Sequence, residues 1–116
     1  MKNQPKNAPF TELAGQAEFS AERMSKVTVA QGAHLLAGLN CLEPGQSQRI
    51  HSHDGADKLY LVLSGKARMT VGEVTHEAGP GTLVWAPAGV PHGVDEALER
   101  TILLIAMGPM AGSHGA

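Results

Sequence analysis

From Pro44 onward, turn-forming residues punctuate this chain so regularly that long helices have no room. Pro44-Gly45, Asp54-Gly55, Ser64-Gly65, Gly72, Gly79-Pro80-Gly81 and Pro87-Gly89 recur every roughly 7 to 10 residues, the rhythm of short antiparallel strands in a sandwich or barrel. Between them lie apolar or alternating stretches. LYLVLSG (Leu59 to Gly65), KARMTVGEV, THEAGPGTLVWA and RTILLIAM all read as strands, preceded by SKVTVA and by HLLAGLNCLEPG. The expected fold class is all-β, in a single domain. Residues 11 to 24 are ambiguous, with a short helix capped by Thr11 as one reading and Gly15 weakening it.

Within this frame the stretch from Gly45 to Gly65 carries chemistry. His51 and His53 are two apart, and in an extended strand such residues share one face, about 7 Å from each other. Two imidazoles so placed can converge on one ion. Downstream, the strand GTLVWA runs into the Pro87, Gly89, Pro91 cluster, which re-aims the chain before His92. Three histidines from two segments suit a half-open site for a divalent transition metal, because neutral imidazole binds zinc, iron, copper and nickel. The plainer alternative is a set of surface or hydrogen-bonded histidines. His34 and His76 read as solvated, and His114 as part of a loose tail.

These residues resemble the cupins. The first cupin motif holds a glycine, a His-x-His pair, a glutamate and a closing glycine, matched by Gly45, His51, His53 and Gly65, with Lys58 at the glutamate position. The second motif holds glycine, proline, glycine, histidine and asparagine, matched by Gly81, Pro87, Gly89 and His92, with Glu96 in place of asparagine. The resemblance implies a cupin-type jelly-roll β-barrel of two antiparallel sheets with the site inside its mouth. It also implies His51, His53 and His92 as ligands of a divalent transition metal (Fe, Ni, Mn, Cu or Zn). In the family register Lys58, Tyr60 and Val62 face inward with them.

Lys58 is the departure that matters. A protonated lysine has three donors and no lone pair, so it cannot ligate. Asp57 lies one residue away, but a one-residue slip in a strand points a side chain to the other face. Lys58 facing the cavity is therefore expected to attract an anionic substrate or to act as an acid or base. Tyr60 is its candidate partner in the site, although Tyr60 and Trp85 are also the natural fillers of a barrel core poor in aromatics. Cupin dioxygenases with three-histidine iron sites make oxidation of a small anionic substrate the activity that the resemblance permits. A non-catalytic ligand-binding or sensing module and a metal-free isomerase or epimerase are the alternatives.

Composition removes other classes. A net charge of -2 and four aromatics, Phe10, Phe19, Tyr60 and Trp85, give neither a basic footprint nor a stacking platform, so no nucleic-acid partner is expected. No apolar run approaches a membrane span and no secretory core follows Met1, so no membrane partner is expected and the cytoplasm is the expected compartment. The single cysteine, Cys41, excludes an internal disulfide and reads as a small core residue. Residues 1–20 are expected as a flexible arm, 21–108 as the barrel and 109–116 as a flexible tail. Leu59 to Leu63 and Ile102 to Met107 are apolar on both parities, which leaves an outer face to cover and leads to the expectation of a homodimer.

Overall fold

The structure is a computed structural model, and it describes residues 5–109. Nine strands run in chain order: β1 (Ser25–Gln31), β2 (Leu36–Leu42), β3 (Gln48–His51), β4 (Asp57–Ser64), β5 (Ala67–Val71), β6 (Val74–Ala78), β7 (Leu83–Ala86), β8 (His92–Ala97) and β9 (Thr101–Gly108). They form a five-stranded sheet in the order β1-β2-β9-β4-β7 and a four-stranded sheet in the order β3-β8-β5-β6, and every pairing is antiparallel. This is the jelly-roll barrel that the turn rhythm and the two motifs imply. The expected turns close it: Gly72 and Glu73 link β5 to β6 as a two-residue hairpin with Val71 opposite Val74.

Alternation decides what fills the barrel. Along β4, Lys58, Tyr60 and Val62 are buried while Leu59, Leu61 and Leu63 are half-buried. The inward set packs with Leu42, Met69, Val94, Leu103 and Ile105, and with the small residues Ala67, Ala78 and Ala97. Tyr60 is the one aromatic among the fully buried large side chains of the described residues. Trp85 departs from the expectation that it fills the core. In the β4–β7 register Tyr60 faces Val84 and Lys58 faces Ala86, so Leu83 and Trp85 take the opposite parity and are 57% and 51% exposed.

Gly65 shows why a glycine closes β4. Its φ is +86°, and a Cβ there would run into the backbone carbonyl of Arg100 and the side chain of Thr101, whose hydroxyl receives the Lys66 N–H. The turn after β4 thus seats directly on the start of β9.

Before β1 the described chain lies along the barrel. Asn7 donates its N–H to the Val29 carbonyl and accepts the Gln31 N–H, Gln46 donates to the Ser20 carbonyl, and the Arg100 guanidinium sits 3.7 Å over the Phe19 ring. Leu39 and Cys41 share register with Leu104 and Ile102, facing away from the interior, yet both are fully buried. The backbone of Glu18 reaches the Cys41 thiol, which burial pushes upward in pKa, so this part of the outer face is covered by the chain itself. The ambiguous stretch holds only a 3-10 turn, Leu13–Gln16; its N-cap is Glu12, not Thr11, and no side chain caps it. Gln16 at the end of this turn is buried. Residues 1–4 of the expected arm, and 110–116 of the expected tail with His114, lie outside the described residues. Among the described residues no helix is long and apolar enough to cross a membrane.

Candidate metal centre in the barrel mouth

The site begins with an irregularity in β3. Gln48 pairs with Val94 and His51 with His92, so three steps along β3 match two along β8, and the strand carries one extra residue. Without this bulge Gln48 and His51 would point to opposite faces. With it, both turn to the interior. The close approach of β8 to β3 requires Gly93, since a Cβ there would stand 2.7 Å from the Gln48 carbonyl oxygen.

His51 ends β3, His53 lies in the loop beyond it, and His92 opens β8 after the Pro87–Val90 turn. That turn and the histidine loop are tied together by the Gly89 N–H donating to the His53 carbonyl at 3.0 Å. The three rings meet. Their centroids lie 4.5 Å (His51 to His92), 4.9 Å (His51 to His53) and 5.6 Å (His53 to His92) apart, and one nitrogen from each falls within 4.8 Å of the others.

The protonation pattern follows from the backbone. Nδ1 of His51 lies 2.7 Å from the Arg49 carbonyl and Nδ1 of His92 lies 2.9 Å from the Val90 carbonyl. A carbonyl only accepts, so each Nδ1 must carry the proton, which leaves Nε2 of the neutral ring with a free lone pair. His92 is 1% exposed and its Nε2 has no hydrogen-bond partner. Burial lowers the pKa of both His92 and His53, and the neighbouring histidines and Lys58 lower them further. A buried, neutral, unpartnered imidazole nitrogen aimed at two more imidazoles is the donor set a divalent transition metal takes. The residues present therefore fit such an ion.

Lys58 points inward as its parity requires and is 6% exposed. Its ammonium lies 4.6 Å from the centre of the Tyr60 ring, and burial, with a smaller contribution from the charge of Lys26, lowers its pKa to about 8. Tyr60 lies beside both Lys58 and the histidines, 6.1 Å from His92 between centroids. Its hydroxyl donates to Gln48 Oε1 at 2.6 Å, and burial raises its pKa. Asp57 is turned the other way and caps the Pro87 turn by accepting the Ala88 N–H at 2.9 Å. Glu96, at the asparagine position of the second motif, pairs with Arg68 on the exposed side of β5 and β8. His34 and His76 are exposed, away from the cluster.

Gln48 is the residue that sequence reasoning missed. Counted by strict alternation from His51 it belongs on the outer face, and only the bulge brings it to Tyr60. Nothing in the sequence announces that bulge.

Comparison with known proteins agrees with this architecture. The family model described as Cupin domain matches residues 38–105. The chain is 31% identical to the uncharacterized protein SCO3923 of Streptomyces coelicolor over 96 residues, covering 81% of this chain and 89% of that one. Among solved structures it is similar to TT1209 of Thermus thermophilus (39% identity, TM-score 0.82, covering 86% of this chain and 96% of that one). It is also similar to SPY1581 of Streptococcus pyogenes, a protein of unknown function (26% identity, TM-score 0.77, covering 95% of each chain).

Proposed function

The chain belongs to the cupin family, and from that premise we propose that it is a small-ligand-binding cupin. In this reading a divalent transition metal sits on His51, His53 and His92, and a small anionic substrate lies between that site and Lys58. The observation that carries the reading is the buried, unpartnered Nε2 of His92, on a ring whose other nitrogen is held by the Val90 carbonyl. An ion bound by three histidines keeps coordination positions open and supplies Lewis-acid or, for iron, dioxygen chemistry.

The chain's own residues do the rest. The carbonyls of Arg49 and Val90 fix two of the imidazoles in orientation and tautomer. Lys58 supplies positive charge where family members place a glutamate, which favours an anion at that wall. With a pKa near 8 it can also hold or release a proton near neutral pH, at Nζ. Tyr60 donates its hydroxyl hydrogen bond to Gln48, which leaves the hydroxyl oxygen only as an acceptor toward any further group. Oxidation of the bound anion is the activity this arrangement suits. Lys58 also favours a second reading, a metal-free module in which the histidines and Lys58 bind the anion without turnover, because the cation occupies the place of a fourth metal ligand.

The reading extends to a homodimer. Leu59, Leu61, Leu83, Trp85 and Leu104 form an apolar strip on the outer face of the five-stranded sheet, with Asp57 at its end, beyond the part reached by Glu18. An apolar strip of this kind complements a second copy of itself.

Elemental analysis of untagged protein, wild type against His92→Ala, tests the metal site. Close to one equivalent of a transition metal in wild type and loss of most of it in the variant is the expected result. No metal in wild type after reconstitution with Fe, Ni, Mn, Cu and Zn leaves the metal-free module in its place.

A further inference from the structure

The charges of this protein are unevenly placed. Arg68 is paired with Glu77 and Glu96, and Arg100 with Glu43. Arg23, Lys26, Arg49 and Lys58 have no ion-pair partner among the described residues, nor do Lys6 and Lys66 elsewhere. The first three line one groove, and Lys26 acts electrostatically on Lys58. A groove of about 580 Å³ opens beside the barrel mouth, bordered by Arg23, Lys26, Gln48, Arg49 and His51. It shares His51 with the histidine cluster and Gln48 with Tyr60, so groove and barrel cavity have a common wall.

Register explains the convergence. Lys26 pairs with Asn40, which pairs with the core residue Leu103, so Lys26 projects from β1 on the interior side, over the mouth. Arg49 lies within the bulged step of β3, between Gln48 and His51. The charge of Lys26 is felt by both Lys58 and His53, which places it within electrostatic reach of the cavity. Glu22, the acid next to Arg23, is engaged by the Ser20 hydroxyl at 3.2 Å.

A protein with net charge -2 that gathers four unpaired cations around one opening bears their mutual repulsion unless an anion shares the space. One monoanion at Lys58 neutralises one charge of the four. We propose that the groove bearing Arg23, Lys26 and Arg49 is a second anion subsite, and that the ligand is a small organic dianion. One anionic group lies at Lys58 beside the histidines and the other in the groove, where the planar guanidinium of Arg49 or Arg23 suits a carboxylate or a phosphate in a two-pronged contact. The assignment rests on the anionic-ligand reading of the cavity, and it adds the size and charge of the ligand to it.

Calorimetric titration with matched probes bearing two anionic groups or one tests it: succinate against butyrate, glutarate against valerate, and phosphoglycolate, whose phosphate brings a further charge at neutral pH, against glycolate, at low ionic strength, on wild type and Lys26→Gln/Arg49→Gln. At least one probe with two anionic groups is expected to bind about tenfold or more tightly than its partner with one, with that preference falling to within about twofold in the double variant. The pair that responds tells a dicarboxylate from a phosphate monoester. Equal binding within every pair, or a preference untouched in the double variant, overturns the subsite. Both substituted side chains are exposed, and Arg23→Gln provides an independent variant should the double one fold poorly. Metal content measured on the same samples separates the two readings. Full metal with no dianion preference removes the groove alone, whereas a dianion preference without metal supports the groove and removes the metal site.

Discussion

Tyr60 and Gln48, twelve residues apart in sequence and on opposite sheets, are joined by a 2.6 Å hydrogen bond at the floor of the site, both of them buried. The bond ties the barrel wall that carries Lys58 to the bulged strand that ends in His51. Each partner would otherwise be a polar group without water, so the pair stands or falls together.

Tyr60→Phe leaves the Gln48 carbonyl oxygen without its donor, and Gln48→Leu leaves the phenol without its acceptor. Each single change is expected to cost about 1–3 kcal/mol, the desolvation of the group left behind. The double change removes both polar groups and should recover much of that loss. Urea denaturation of the three variants measures the cycle. Strictly additive single and double losses would show that the contact carries no coupling.

Lys58→Glu places a carboxylate where the five-stranded sheet faces the histidine cluster. The change replaces a repelling cation with a possible fourth ligand, so metal affinity should rise by about tenfold or more, while binding of small monoanions is lost. Competition against a chromophoric chelator reads the first, and calorimetry with butyrate the second. Unaltered metal affinity would mean that residue 58 does not reach the ion.

Most of the fold and part of the site are legible in the sequence. The glycine and proline turns fixed the strand rhythm, and alternation in LYLVL placed Lys58, Tyr60 and Val62 on one face, because a single hydrogen-bonded strand keeps period 2. His51, His53 and His92 were recognisable from their spacing. What alternation could not show is where it breaks. The extra residue in β3 moved Gln48 inward, and the partner register moved Trp85 outward. The groove was invisible for a different reason. Arg23, Lys26 and Arg49 sit on three separate segments with no motif, and only the pairing of β1 with β2 and of β3 with β8 brings them to one opening.

Trp85→Glu tests the outer face. The side chain is half-exposed and lies outside both the core cluster and the histidine cluster, so the fold and the metal content should persist. Wild type is expected to sediment at twice its 12.1 kDa mass at micromolar concentration and the variant as a monomer, since a carboxylate on each copy would have to be buried against its mate. A wild-type protein that sediments as a monomer would remove the homodimer from the reading.

Lys58 makes stability depend on pH in a direction that can be stated beforehand. Its pKa falls from 10.5 to about 8 on folding, chiefly through burial, so between those values the unfolded chain holds a proton that the folded one has released. Stability of the metal-free protein therefore rises with pH across that window, and below about pH 8 the folded state carries the whole cost of the buried ammonium. At ~1.4 kcal/mol per pKa unit that cost is about 3 kcal/mol at most. The 4.6 Å contact with the Tyr60 ring offsets a part of it. Lys58→Met keeps the side-chain length without the charge. The variant should melt higher than wild type at pH 7, with the gap closing as pH climbs from 8 toward 10.5. A gap that stays constant over that range would show an ammonium still in water, and with it would go the anion-attracting role given to Lys58.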